Sequence, residues 1–173
     1  MRFAYGALLI AGLFALSGCN EKKPVDKEFV SPDGLFRVYM PGRPHADKQK
    51  FAGGPSTIYS VEHLNRAYAV GVSEVDIPEG ESEDQIQTRL AELTREQLSL
   101  IRAKLTDSKP VTLGKFIGLD IQADLPDDEG ILRGRTFIAN NRLYRVLCVA
   151  NDDLAFSKES ERFLDSFRIV APD

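Results

Sequence analysis

The stretch GILRGRTFIANNRLYRVLCVAN, residues 130–151, decides how this chain is read. Asn140-Asn141 tolerates the left-handed backbone that a two-residue hairpin turn demands. With that turn, Ile138 pairs with Leu143 and Phe137 with Tyr144. One face of the hairpin then carries Leu132, Ile138, Leu143, Leu147 and Val149, and the other carries Ile131, Phe137, Tyr144, Val146 and Cys148. An antiparallel sheet with one wet face alternates apolar and polar residues; here both faces are apolar, so the sheet is expected to be covered on both sides.

Working outward, turn chemistry divides the chain into further strands. Ser31-Pro32-Asp33-Gly34 reads as a turn, with a strand from Leu35 to Met40 stopped by Pro41-Gly42. Gly53-Gly54-Pro55 is another turn. Ser56 to Leu64 and Ala67 to Val75 alternate as strands joined by a hairpin at His63-Leu64-Asn65-Arg66, and His45 falls in an early loop. Beyond the helix described next, strands are expected at Leu105 to Leu113 and Lys115 to Leu125, then in the hairpin above.

Two helices are expected. Ser82-Glu83-Asp84-Gln85 has the form of a capping box with acids in the first turn, and the helix it opens runs to about Lys104. Ile86, Leu90, Leu93, Leu98 and Ile101 form its buried stripe, with Gln87, Arg89, Glu92 and Glu96 on the wet side. A last helix spans Ser157 to Phe167, with Phe163, Leu164 and Phe167 on its apolar side. The expected fold class is α+β, an antiparallel β-sheet sandwiched between a long central helix and a C-terminal helix.

The N-terminus carries a different signal. One basic residue, Arg2, precedes an apolar run from Ala7 to Leu16, and Leu16-Ser17-Gly18-Cys19 closes it with small residues. The run is too short for a comfortable span, which needs ~20 apolar residues, and has the layout of an export signal. An ordinary secretory signal or an uncleaved N-terminal helix would leave Cys19 incidental. The tetrapeptide resembles the lipobox of bacterial lipoproteins. That resemblance implies cleavage before Cys19, a diacylglycerol thioether on its sulfur, and a further acyl chain such as palmitate on its amine. Two or more chains anchor a protein stably. In enteric bacteria an aspartate after the cysteine favours the inner membrane, so Asn20 leans towards the outer membrane with the domain facing the periplasm. The expected organisation is a signal peptide at residues 1–18, a lipidated cysteine and polar tether at 19–28, and one domain at 29–170.

Removing residues 1–18 takes away Arg2 and no acid, so the net charge of −4 becomes −5. That balance speaks against a nucleic-acid partner and offers no polybasic patch for anionic lipid. The chain has only two cysteines, so a lipidated Cys19 leaves Cys148 without a disulfide partner.

The segments Phe29-Val30-Ser31-Pro32-Asp33-Gly34-Leu35-Phe36-Arg37-Val38, Met40-Pro41-Gly42 and Phe163-Leu164-Asp165-Ser166-Phe167-Arg168, with the order of strands and helices, resemble the PsbP-like family. That family builds an antiparallel sheet between helices. It has no common catalytic residues to carry over, and its members act mostly as binding or assembly modules.

Candidate sites are few. Cys148 is a nucleophile only if a base and an orienting group reach it; as a strand residue it is otherwise a small buried hydrophobe. Arg133 and Arg135 share one face of the hairpin, and Arg145 projects to the other, opposite Thr136. Arginines beside a core need carboxylate partners or a bound anion, so these three are candidate ligand contacts for a carboxylate or phosphate, or else members of internal ion pairs. Acidic runs at Glu79 to Asp84, Asp127 to Glu129 and Asp152-Asp153 lack EF-hand spacing and read as solvated loops. No zinc-ligand spacing, phosphate-cradling glycine loop or nucleophile elbow around Ser56 or Ser60 is present. No catalytic residue, metal or cofactor is expected. The functional expectation is a lipid-anchored, non-enzymatic binding or assembly module of the bacterial cell envelope, its partner an unidentified envelope protein or small anion. The alternatives are a small thiol enzyme or hydrolase using Cys148, and a sensor of a small anion at the arginine strands.

Overall fold

The computed structural model describes residues 27–51 and 54–170. The expected signal peptide, Cys19 and most of the tether lie outside the described residues. Ten strands and three helices follow in the order β1 (Lys27–Val30), β2 (Phe36–Met40), β3 (His45–Phe51), β4 (Gly54–His63), β5 (Arg66–Glu74), α1 (Glu83–Leu100), β6 (Lys104–Leu113), β7 (Phe116–Asp124), β8 (Ile131–Ala139), β9 (Arg142–Ala150), α2 (Asp152–Ala155), α3 (Lys158–Ser166) and β10 (Arg168–Ile169). The mixed α+β class holds, with two sheets rather than the one expected. A three-stranded sheet runs β1-β2-β10 and a seven-stranded sheet runs β3-β4-β5-β9-β8-β7-β6. Every pairing is antiparallel.

The large sheet is two meanders joined along β5 and β9, where Arg66 pairs with Ala150 and Glu74 with Arg142. Helix α1 connects β5 to β6 at the far edge, past β9, β8 and β7. Four strand spacings are ~19 Å, and a helix of 18 residues is about 27 Å long, long enough to make the crossing over one face. Its start is the expected capping box: Gln85 N–H donates to Ser82 Oγ at 3.3 Å and Ser82 N–H to Gln85 Oε1 at 2.8 Å. It stops at Leu100, not near Lys104, because Arg102 turns left-handed at φ 55°. Arg102 N–H then bonds Ser99 O and Ala103 N–H bonds Leu98 O, a Schellman closure that frees Lys104 to begin β6.

The hairpin at residues 130–151 has the expected register, Ile138 opposite Leu143 and Phe137 opposite Tyr144, with Asn140 and Asn141 both at positive φ. Its two faces feed two separate cores. Leu132, Ile138 and Leu143 join Leu119, Ile121, Ala123 and, from α1, Leu90 and Leu98. Phe137, Tyr144, Val146 and Cys148 join Tyr68 and Val70 of β5, Phe36, Val38 and Met40 of β2, and Phe163, Leu164 and Phe167. Phe167 stands at the centre of this second core, its ring 5.7 Å from Phe36, 5.9 Å from Phe137 and 5.8 Å from Tyr144.

Several expectations are corrected. The small sheet, with β1 already including Lys27 and Glu28 of the expected tether, was hidden because β1 and β10 are only 4 and 2 residues long. His45 is in β3, not a loop; HADKQKF carries no apolar alternation because β3 is an edge strand. On α1, Leu93 is only half-buried, while Thr94 and Gln97 are buried beside Leu90 and Leu98. The opposite edge, β6, is exposed along most of its length, contains Pro110 and breaks register between Leu105 and Asp107.

Candidate functional site

The three candidate arginines do not form one site. Arg133 and Arg135 point to the face that carries α3, and α3 supplies their partners. The Arg133 guanidinium pairs with Glu161, lies 3.5 Å from Ala155 O and sits 4.9 Å from the Phe156 ring centroid. Arg135 reaches Asp120 on the neighbouring β7 at 3.0 Å and Asp165 of α3 at 2.8 Å. Burial works against the Arg135 charge, but the two carboxylates outweigh it and hold its pKa above the ordinary arginine value. These pairs fasten α3 to the sheet, the internal reading of the two residues.

Arg145 faces the other way, towards α1, and is 4% exposed. Its Nη1 donates to Ser73 Oγ at 2.8 Å. Burial lowers its pKa to about 10, with the charge of Glu96 acting in the opposite sense. Beside it lies a cavity of about 30 Å³ lined by Thr94, Gln97, Ile101, Thr136, Leu147 and Arg145, among others. Gln97 Oε1 and Thr136 Oγ1 are buried there without a hydrogen-bond partner. An unpaired buried polar atom costs ~1–3 kcal/mol, so two at one cavity call for a physical reason. The hairpin register already places Thr136 opposite Arg145. Gln97 was missed, although it lies seven residues after Leu90 on the same helical stripe.

Cys148 is fully buried in the second core. Its thiol donates to Ser160 Oγ at 3.4 Å, and Ser160 Oγ donates to Leu154 O at 2.8 Å. Burial pushes the thiol pKa up, away from the thiolate a nucleophile needs. Neither histidine is a neighbour. His63 pairs with Arg66, which pairs with Ala150, so His63 is two strands from β9, roughly 10 Å. His45 is one strand further, on β3. The arrangement is that of a buried core thiol held in its protonated form.

Among the described residues no group of three or more His, Cys, Asp or Glu could hold a metal ion, and no helix is long and apolar enough to cross a membrane. A second, open depression of about 360 Å³ runs along α1, lined by Asp84, Gln87, Thr88, Ala91 and Arg95.

Among solved structures, the chain matches the solution structure of cyanobacterial PsbP (CyanoP) from Synechocystis sp. PCC 6803 with a TM-score of 0.60 and 11% identity, over 90% of this chain and 99% of that one. The fold is PsbP-like. A protein of unknown function from Pseudomonas aeruginosa is more distant, with a TM-score of 0.40 and 10% identity over 78% of this chain and 89% of that one. No protein-family model and no curated protein matches the sequence. The two arginines beneath α3 are paired with carboxylates of β7 and α3.

Proposed function

We propose that this chain is a lipid-anchored, extracytoplasmic binding or assembly module of the bacterial cell envelope, without catalytic activity. The observation that carries the reading is Leu16-Ser17-Gly18-Cys19 at the end of a short apolar run. Between Cys19 and the first residue of β1, Lys27, lie seven residues, which reach at most ~25 Å when extended. A lipid on Cys19 would keep the PsbP-like domain close to the bilayer, and Asn20 favours the outer membrane with the domain in the periplasm. The interior supports a module rather than an enzyme: Arg133 and Arg135 are paired to carboxylates and the Cys148 thiol is buried. We infer further that the large sheet is a layer between α1 on one face and α3 with the small sheet on the other, since the two faces of β8 and β9 feed two separate cores. A layered module of this kind recognises partners through its surface.

Substitution Cys19→Ser tests the anchor. The variant is expected to leave the membrane fraction for the soluble envelope, or to accumulate with its first 18 residues uncut. Fractionation with membranes and an N-terminus identical to the unsubstituted protein would sink the reading.

A further inference from the structure

We propose that the tip of the β4–β5 hairpin, Leu64 with Phe156 beside it, is the surface by which the anchored domain rests on a zwitterionic lipid bilayer, an inference that builds on the lipid at Cys19. Leu64 and Asn65 form a two-residue turn, with His63 opposite Arg66, and both have positive φ, 47° and 59°. That turn favours Asn, Asp or Gly, and a leucine in the left-handed region is an outlier. At the opposite end of the sheet Asn140-Asn141 meets the same demand with favoured residues. Leu64 is also 60% exposed, so no burial within the chain offsets its backbone strain. A bulky apolar residue held in a strained and wet position points to a contact outside the chain. Phe156, 48% exposed, belongs to the same place. Arg66 Nη1 donates to Leu64 O at 3.3 Å, and Arg66 Nη2 lies 3.6 Å from Glu159, three residues past Phe156.

Where the chain enters the domain says what that contact is. Lys27, the first residue of β1, pairs with Met40 at the end of β2. Two residues on, a Cβ at Gly42 would lie 3.6 Å from Val61 Cγ2, and Val61 is three residues before Leu64. The tether therefore joins the domain at the end that carries the β4–β5 tip. Seven residues separate Cys19 from Lys27, a reach of at most ~25 Å, so this is the end that meets the bilayer. One leucine and one phenylalanine hold a free protein to lipid poorly. A tethered domain meets the bilayer at high effective concentration, and a small contact suffices. The same end carries exposed Asp127, Asp128 and Glu129 at the β7–β8 turn and Asp152 and Asp153 in α2. An anionic surface repels these carboxylates, so the lipid that fits is zwitterionic.

The test uses the full lipidated chain in phosphatidylcholine bicelles that carry a nitroxide on the headgroup, with backbone amide signals read by NMR. Leu64, Asn65 and Phe156 are expected to lose most of their signal height, while Asn140 and Asn141 keep theirs. Leu64→Asn suits the turn better than leucine does. It is expected to leave Tm in mild detergent unchanged or higher, and to restore most of the height at Asn65. Flotation with phosphatidylcholine vesicles reads the anchor separately. A chain that fails to float has no anchor, and the resting surface falls with it. A chain that floats, but whose Leu64, Asn65 and Phe156 signals are no weaker than those of Asn140 and Asn141, overturns the resting surface and leaves the anchor standing. A Leu64→Asn variant that melts more than about 2 °C lower shows that Leu64 serves the fold, and one that stays as strongly broadened at Asn65 shows that Leu64 does not make the contact; either overturns the assignment.

Discussion

Phe167→Ala probes the joint on which the second core turns. The residue follows α3 directly, is 1% exposed and precedes β10, so its ring belongs at once to the helix, the small sheet and the large sheet. Truncating a buried phenylalanine costs ~3–5 kcal/mol. Three ring neighbours within 6 Å, each worth ~0.5–1.5 kcal/mol beyond area, place this one at the upper end. A loss of about 4–5 kcal/mol is a large share of the ~5–15 kcal/mol of a typical domain. It lowers Tm by roughly 8–20 °C for a domain of this size. Urea titration followed by far-ultraviolet circular dichroism and tyrosine fluorescence measures it, since the chain has no tryptophan. The matched control is Phe156→Ala: that ring is 48% exposed and sits over Arg133, so its loss stays under about 1 kcal/mol. A Phe167→Ala variant within 1 kcal/mol of the unsubstituted protein, or no worse than Phe156→Ala, would refute the argument. A reduced urea slope would instead show that the small sheet had come away on its own.

Leu90→Ala should cost ~2–5 kcal/mol because Leu90 is fully buried in the core under α1, while half-buried Leu93→Ala should cost clearly less; equal urea midpoints would put the helix in the wrong rotation. Tyr68 is held neutral by burial, with its pKa pushed up to about 12 from 10.0, so it contributes stability that is complete below pH 10 and lost as pH rises through 12. Tyr68→Phe should therefore flatten the stability profile between those values by up to ~2–3 kcal/mol, and unchanged alkaline unfolding would show the phenol to be reachable by water when folded. Native Cys148 should react slowly with a thiol reagent near neutral pH and quickly once unfolded, and Cys148→Ala should cost about 1 kcal/mol; fast native labelling would return it to the list of reactive groups.

The parts legible in the sequence are those where one local rule acts alone. Asn140-Asn141 sets a two-residue turn, and the register of β8 and β9 follows from it without reference to anything else. The capping box at Ser82 to Gln85 starts α1 for the same reason. What stayed hidden depends on contacts between distant segments. Strands β1 and β10 exist because β2 lies between them, and the β3 sequence has no apolar period because neither face of residues 45–50 is buried in a core. Helix periodicity identified the buried side of α1 but could not rank Leu93 against Gln97, since which of two neighbouring positions is buried depends on where the sheet lies beneath. The arginines show the same boundary. Parity separated Arg145 from Arg133 and Arg135, but only the position of α3 reveals that Glu161 and Asp165 reach the latter two.

An open seven-stranded sheet ends in two rows of backbone groups available to another chain. Here β3 bears Asp47, Lys48 and Lys50, and β6 bears Lys104, Asp107 and Lys109 together with Pro110 and a broken register. A foreign strand docking on either edge would bury charges, and on β6 it would also meet a residue with no N–H and a ladder out of step. The molecule can therefore be crowded against its own copies without zipping into fibres through its sheet. At the two ends of the large sheet, the charges, Pro110 and the broken register turn the backbone rows from a docking template into a barrier.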